Sequence, residues 1–229
     1  DLSHGPLECL FTVDEERGLT GAVGCRPGWL RSRYLLNLDG EDIRQLCISC
    51  AGGLETQARR HLARVPTPSG RTSFKLQVSG LQGGHSGVDI HLGRGNAIHI
   101  LARALDALME VPGTALAELG GGSRRNVIPR EASALLVAPP DQAGALQTAV
   151  ARILESIREG LGAFDPAVEI HLGPCADRPT QVLAPEEGRR IVDLLRVLPH
   201  GVRAMSAEIP GLVQTSTNLA VLKMSGDGV

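Results

Sequence analysis

The sequence predicts an α/β segment followed by an α+β domain whose antiparallel sheet carries helices on one face. Three observations predict it. Residues 7–38 hold two apolar runs separated by a helix-like stretch, the pattern of a β-α-β unit. Pro66, Thr67, Pro68, Ser69 and Gly70 then form a linker-like break. Beyond it, Phe74, Leu76 and Val78 alternate with Lys75, Gln77 and Ser79, as in a half-buried antiparallel strand, and helical stripes follow.

In chain order, the first strand is expected over Leu7–Val13, a helix over Arg17–Leu30 and a second strand over Tyr34–Leu38. A right-handed crossover would make these strands parallel and end both on one edge of the sheet, where open α/β folds place their sites. Asp14, Glu15 and Glu16 follow the first strand and Asp39 follows the second. A domain boundary is expected near Val65, dividing the chain into 1–65 and 66–229.

In that second domain a helix is expected over Gly95–Met109, with Ala97, Leu101, Ala104, Leu105 and Leu108 as its buried stripe. A strand over Glu131–Ala138 precedes a helix capped by Asp141, whose stripe is Leu146, Val150, Ile153, Leu154, Ile157 and Leu161. Strands over Val168–Leu172 and Val213–Met224 flank a third helix over Pro185–Leu198, opened by proline and acidic in its first turn. The chain stops at Gly226-Asp227-Gly228-Val229 straight after an apolar strand, which reads as an interruption of a longer protein.

Composition narrows the function. Lys+Arg 23 against Asp+Glu 25 gives a formal net charge of -2, so no basic field is available for a phosphate backbone. Aromatic residues are 2% of the chain, too few for base-stacking platforms, and nucleic acid is excluded as a partner. No run approaches the roughly 18 apolar residues of a membrane span, and the expected location is cytoplasmic. Five cysteines, an odd and scattered set, fit reduced thiols. Cys47 and Cys50 would point to opposite faces of a strand, so they do not read as a metal pair.

Three constellations could carry chemistry. Adjacent Glu15 and Glu16 suit metal-assisted hydrolysis, one carboxylate ligating a cation while its neighbour accepts a proton, with Asp39 as a further ligand. The same acidic cluster could equally open a helix. In Gly83-Gly84-His85-Ser86-Gly87, glycines let backbone approach a ligand and the imidazole could stabilise an oxyanion; a glycine-rich hairpin with a surface histidine looks the same. The loop Gly120–Glu131 presents Asn126 and several arginines, among them Arg130, groups suited to a peptide amide and a carboxylate or merely to solvent. His99 and His171 are not assigned a role.

H-G-P-L-E at 4–8, the Glu15-Glu16 pair, C-A-G-G at 50–53, G-G-H-S-G with I-H-L-G at 90–93, R-N-V-I-P-R-E-A at 125–132 and V-Q-T-S-T-N-L at 213–219 form a specific ordered set. With them, almost the whole chain resembles the aminoacyl-histidine (cytosol non-specific) dipeptidases of the di-zinc carnosinase-like peptidase superfamily. The resemblance implies a catalytic α/β domain holding a pair of zinc ions and a lid domain that closes over short peptides and mediates homodimer contacts. By motif it implies Glu15 as general base, Glu16 and Asp39 as zinc ligands and His85 as the lid group stabilising the oxyanion. It also places Asn126 and Arg130 in the substrate-facing loop. The family's upstream H-x-D motif and late histidine ligand have no counterpart here, and open zinc sites use about three protein ligands per metal.

The reading that follows is a fragment of a zinc-dependent dipeptidase, cleaving unblocked dipeptides such as Xaa-His by metal-activated water. A non-catalytic binding or dimerisation module and an amino-acid deacylase of the same superfamily are the alternatives. Cys9 and Phe11 are expected to leave apolar surface exposed within residues 1–60.

Overall fold

The computed structural model describes residues 3–15, 18–36, 44 and 50–224. Its backbone divides into two compact units, Asp1–Leu54 and Glu55–Val229.

In the first unit the expected β-α-β does not form among the described residues. Residues 7–13 have no strand partner, and the helix expected over Arg17–Leu30 is a single turn, α1 (Thr20–Val23). The physical reason lies in burial. Leu7 is 71% exposed, Phe11 91% and Tyr34 90%, so the apolar runs have no neighbouring layer here to pay for ordering them. The expected exposed apolar surface is therefore present. What order there is comes from polar contacts: the Glu8 carboxylate accepts from Ser32 Oγ at 2.5 Å and from the amides of Ser32 and Arg31 at 2.7 and 2.9 Å. Those bonds, with the Ser32 hydroxyl first, hold Glu8 below the usual carboxylate range. Four cysteines, Cys9, Cys25, Cys50 and Cys175, are free thiols, as expected; Cys47 lies outside the described residues, as do Glu16 and Asp39.

The second unit is built on a β-α-β-β-α-β pattern. Strands β1 (Arg64–Pro66), β2 (Thr72–Ser79) and β3 (Gly84–His85) lead into α2 (Ala97–Met109). Next come β4 (Ala115–Gly121), β5 (Val127–Ile128), β6 (Ala132–Ala138), α3 (Ala143–Leu161) and β7 (Glu169–Pro174). The series ends with β8 (Gln181–Leu183), α4 (Pro185–Val197), β9 (Gly201–Met205), β10 (Val213–Thr217) and β11 (Leu222–Lys223). The main sheet runs β11-β4-β6-β2-β7, antiparallel throughout. Strands β4, β6, β2 and β7 with the helices α2 and α3 have the split β-α-β arrangement of ferredoxin-like layers.

Alternation decides which face of the sheet is dry. Phe74, Leu76 and Val78 of β2 are buried beneath α2 and α3, while Lys75 and Gln77 face the other way and are exposed. The five stripe residues expected on α2 are all buried, and Ile98, Ile100 and Ala102 join them because α2 packs against the sheet, α3 and α4. On α3 only Leu146, Val150 and Ile157 of the expected stripe are fully buried; Ile153, Leu154 and Leu161 are partly so. Part of the outer face is closed by β8, whose Val182 packs with Ala117, Leu135 and Val137. β8 pairs with β1, so residues 64–66 are part of this unit, and Arg60 reaches Glu187 of α4 at 3.0 Å.

Two expectations fail locally. Asp141 does not cap α3: Pro140–Gln142 form a 3-10 turn that leads into the helix without a side-chain cap. The strand expected over Val213–Met224 is two, β10 and β11, because Asn218 turns inward between them and hydrogen-bonds the β5 backbone. α4 starts on Pro185 with Glu186 and Glu187 in its first turn, as its sequence requires. Its Arg189 and Arg196 reach Asp106 of α2 at 2.5 and 2.8 Å, an ion lattice that fixes the angle of two helices more than it adds stability.

Candidate functional site

β2 ends at Ser79, and the chain must return to the start of α2 over the same edge of the sheet. The buried carboxylate of Asp165 closes the base of that return: Oδ1 accepts the Gln82 amide at 2.7 Å and Oδ2 the Gly95 amide at 2.6 Å. Residues 83–94 project from this base, and β3 within them pairs with β5, with His85 opposite Val127.

The two glycines before His85 are required by contact. Gly83 has φ 65°, and a Cβ there would lie 2.3 Å from Cγ of Arg130. Gly84 has φ 143°, and a Cβ there would lie 2.6 Å from both Arg94 Nη1 and Asp89 Oδ2. Both the left-handed backbone and the space are reserved, so the segment is more than a permissive surface hairpin.

His85 is exposed, and its orientation is set by its own loop. Nδ1 accepts the amides of Gly87 at 3.1 Å and Val88 at 3.2 Å. A neutral imidazole whose Nδ1 is an acceptor carries its proton on Nε2, so this ring presents an N–H donor outward. The His85 amide in turn donates to Asp89 Oδ2 at 2.8 Å, and the Asp89 amide to the His85 carbonyl at 2.8 Å.

Asn126 and Arg130 are brought to the same ribbon. The Asn126 carbonyl accepts the Ser86 amide at 2.8 Å, and the Arg130 stem runs along Gly83. Arg125 is drawn aside by Glu55, with Nη1 to Oε2 at 3.1 Å. Three of the expected site residues are therefore neighbours on one ribbon beside the N-terminus of α2. Glu15 belongs to the first unit, where it is exposed, and Glu16 and Asp39 lie outside the described residues. Among the described residues no three His, Cys, Asp or Glu side chains converge as a metal site would require, so these residues alone do not fit a zinc ion.

Asn218, Asn96, His200 and Asp89 are residues to which sequence reasoning gave no role. Asn218 Nδ2 donates to the carbonyls of Val127 at 2.8 Å and Arg125 at 3.4 Å, either side of Asn126. Asn96 caps α2 through the Ile98 and His99 amides, and its Nδ2 reaches the Leu219 carbonyl at 2.9 Å and His200 Nδ1 at 3.2 Å. The His200 and His99 rings meet edge to face at 5.7 Å. One signal was available: N-x-x-H over Asn96–His99 sets a capping amide beside a histidine, though nothing local announces His200.

Burial, and then the neighbouring His99 ring, push His200 down to about 4, against a hydrogen bond with Asn218; burial lowers His99 as well. The fold thus prefers the neutral ring. Its contribution is present above the unfolded value of about 6.5 and is lost as pH falls from there toward 4. Carboxylates held low, such as Glu187 beside Arg60 and Arg190, lose their contribution lower, as pH falls through the carboxylate range, so the upper part of this window belongs to the histidines. Urea unfolding should show a loss on the order of 1–2 kcal/mol between about pH 7 and pH 4.5, after allowing for solvent screening. His200→Asn should flatten that slope; an unchanged slope would contradict the assignment.

Residues 76–164 match the peptidase dimerisation domain family. The chain is 36% identical over 226 residues to the cytosol non-specific dipeptidase of Escherichia coli (strain K12), covering 99% of this chain and 46% of that protein. The aminoacylhistidine dipeptidase of Vibrio alginolyticus superimposes with a TM-score of 0.74 at 32% identity, over 95% of this chain and 44% of that one. The chain spans somewhat under half the length of either relative.

Proposed function

We propose that this chain, similar over nearly its whole length to the aminoacyl-histidine (cytosol non-specific) dipeptidases, supplies the lid and part of the catalytic rim of an enzyme that hydrolyses unblocked dipeptides such as Xaa-His. The observation that carries the reading is the His85 ring held with Nδ1 on the Gly87 and Val88 amides, on the ribbon that also carries Asn126 and Arg130.

Hydrolysis of a peptide bond develops negative charge on the carbonyl oxygen. A donor already aimed at that oxygen stabilises the transition state without reorganising at the moment of reaction. His85 takes this role. Arg130 is suited to pair with the substrate carboxylate, and the Asn126 side chain to bond a peptide group. Glu15 is assigned as the base that takes a proton from the attacking water, and Glu16 and Asp39 as zinc ligands. Zinc would supply activation of that water. Among the described residues no convergent ligand set is present, and Glu16 and Asp39 lie outside them.

No helix among the described residues is long and apolar enough to cross a membrane. The likeness to a cytosol non-specific dipeptidase supports a cytoplasmic location. The dimerisation domain supports a homodimer formed through the lid.

Elemental analysis for zinc, run beside dipeptide turnover, tests the assignment. The 229-residue chain alone is expected to hold no metal tightly and to show no turnover, and the enzyme containing it to need zinc for both. Two tightly bound zinc ions with turnover in the chain alone would mean that the ligands are other residues.

A further inference from the structure

The loop that presents His85 carries an acid and a base, Asp89 and Arg94, whose contacts are with the loop's own backbone and with each other. Asp89 grips the backbone of His85 at both ends: Oδ2 accepts its amide at 2.8 Å and the Asp89 amide donates to its carbonyl at 2.8 Å. Arg94 Nη1 donates to the Gly83 carbonyl at 2.6 Å and stands 3.7 Å from Asp89 Oδ2. Asp89 and Arg94 are only partly exposed, at 29% and 24% of their side-chain surface. The absence of a side chain at Gly84 is what lets both approach the backbone there.

We propose that Asp89, braced by Arg94, is a positioning residue that sets the tautomer of His85. Closing the turn from His85 to Asp89 brings the Gly87 and Val88 amides onto Nδ1, at 3.1 and 3.2 Å. Two donors on Nδ1 leave the proton on Nε2. Without the carboxylate the His85 amide loses its acceptor, the turn opens, and the imidazole exchanges between tautomers, presenting an acceptor to the oxyanion part of the time. The proposal rests on the reading of His85 as the oxyanion donor, and the test separates the two.

The direct readout is the nitrogen-15 spectrum of the imidazoles in the labelled chain at about pH 8, where unperturbed imidazoles are neutral. The His85 resonance is assigned by its loss in His85→Gln. Wild type is expected to show His85 with an unprotonated Nδ1 and a protonated Nε2. Asp89→Ala should move both toward the averaged position, and Asp89→Asn, which keeps an oxygen for the His85 amide, should restore them. In the enzyme containing this chain, Asp89→Ala should lower kcat roughly ten- to hundredfold with KM within about twofold. An Asp89→Ala spectrum identical to wild type overturns the proposal. A shifted tautomer with unchanged kcat upholds positioning and removes the oxyanion role of His85. If Asp89→Ala loses its dispersed amide spectrum, Arg94→Gln is read instead: it leaves the Asp89 carboxylate in place but frees the Gly83 carbonyl, and an unshifted His85 there overturns the bracing.

Discussion

His85→Ala in the enzyme that contains this chain should lower kcat for an unblocked dipeptide by about 10²–10³ and leave KM nearly unchanged. The size follows from where the donor acts. An N–H aimed at the oxygen that becomes negative contributes little to ground-state binding and about 2.7–4 kcal/mol at the transition state. The ring is held in advance by the Gly87 and Val88 amides on Nδ1, so no reorganisation offsets that gain. His85→Gln, which offers an amide donor of similar reach, should recover part of the loss. Steady-state kinetics over a range of dipeptide concentration decides the matter. A rise in KM with kcat intact would show that His85 binds substrate uniformly and has no special role in the transition state.

Leu105→Ala should cost the second unit about 3–4 kcal/mol, read as a lowered urea midpoint with an unchanged slope. Leu105 is 0% exposed in the middle of α2, within the core that the sheet, α3 and α4 share. Truncation leaves a cavity that three packed layers cannot collapse to fill. Phe11→Ala is the comparison. Phe11 is the larger side chain but is 91% exposed, so its removal should stay within about 0.5 kcal/mol. Equal effects at the two positions would contradict the division between a packed second unit and an apolar first one with little to pack against.

That contrast also explains how far the sequence could be read. α2 and β2 were legible because each carries its own periodicity, Leu101, Leu105 and Leu108 marking a face whatever lies beside it, while β6 showed as an apolar run and α4 by its opening proline and acidic first turn. β4 was not, since Ala115–Gly121 is built from alanine, leucine, glycine and one glutamate, with little strand preference, and only pairing within the sheet makes it a strand. In the first unit the same apolar signal misled, because Leu7–Val13 has strand-like residues but no neighbouring strand among the described residues. At the site, the glycines around His85 were visible and their purpose was not. Gly83 and Gly84 make room for Arg130, Arg94 and Asp89, and that is a fact of three dimensions. Asn218 lay in a quoted motif, yet its task is to hold the Arg125 and Val127 carbonyls, 93 and 91 residues away in sequence.

The central claim is the bond that is cut. The most direct measurement compares initial rates on an unblocked Xaa-His dipeptide and on its N-acetylated form, using the enzyme that contains this chain. The account predicts cleavage of the free dipeptide between its two residues, with the acetylated form much slower. Preferential release of acetate from the acetylated form, with the dipeptide left whole, would contradict it and make the lid that of a deacylase.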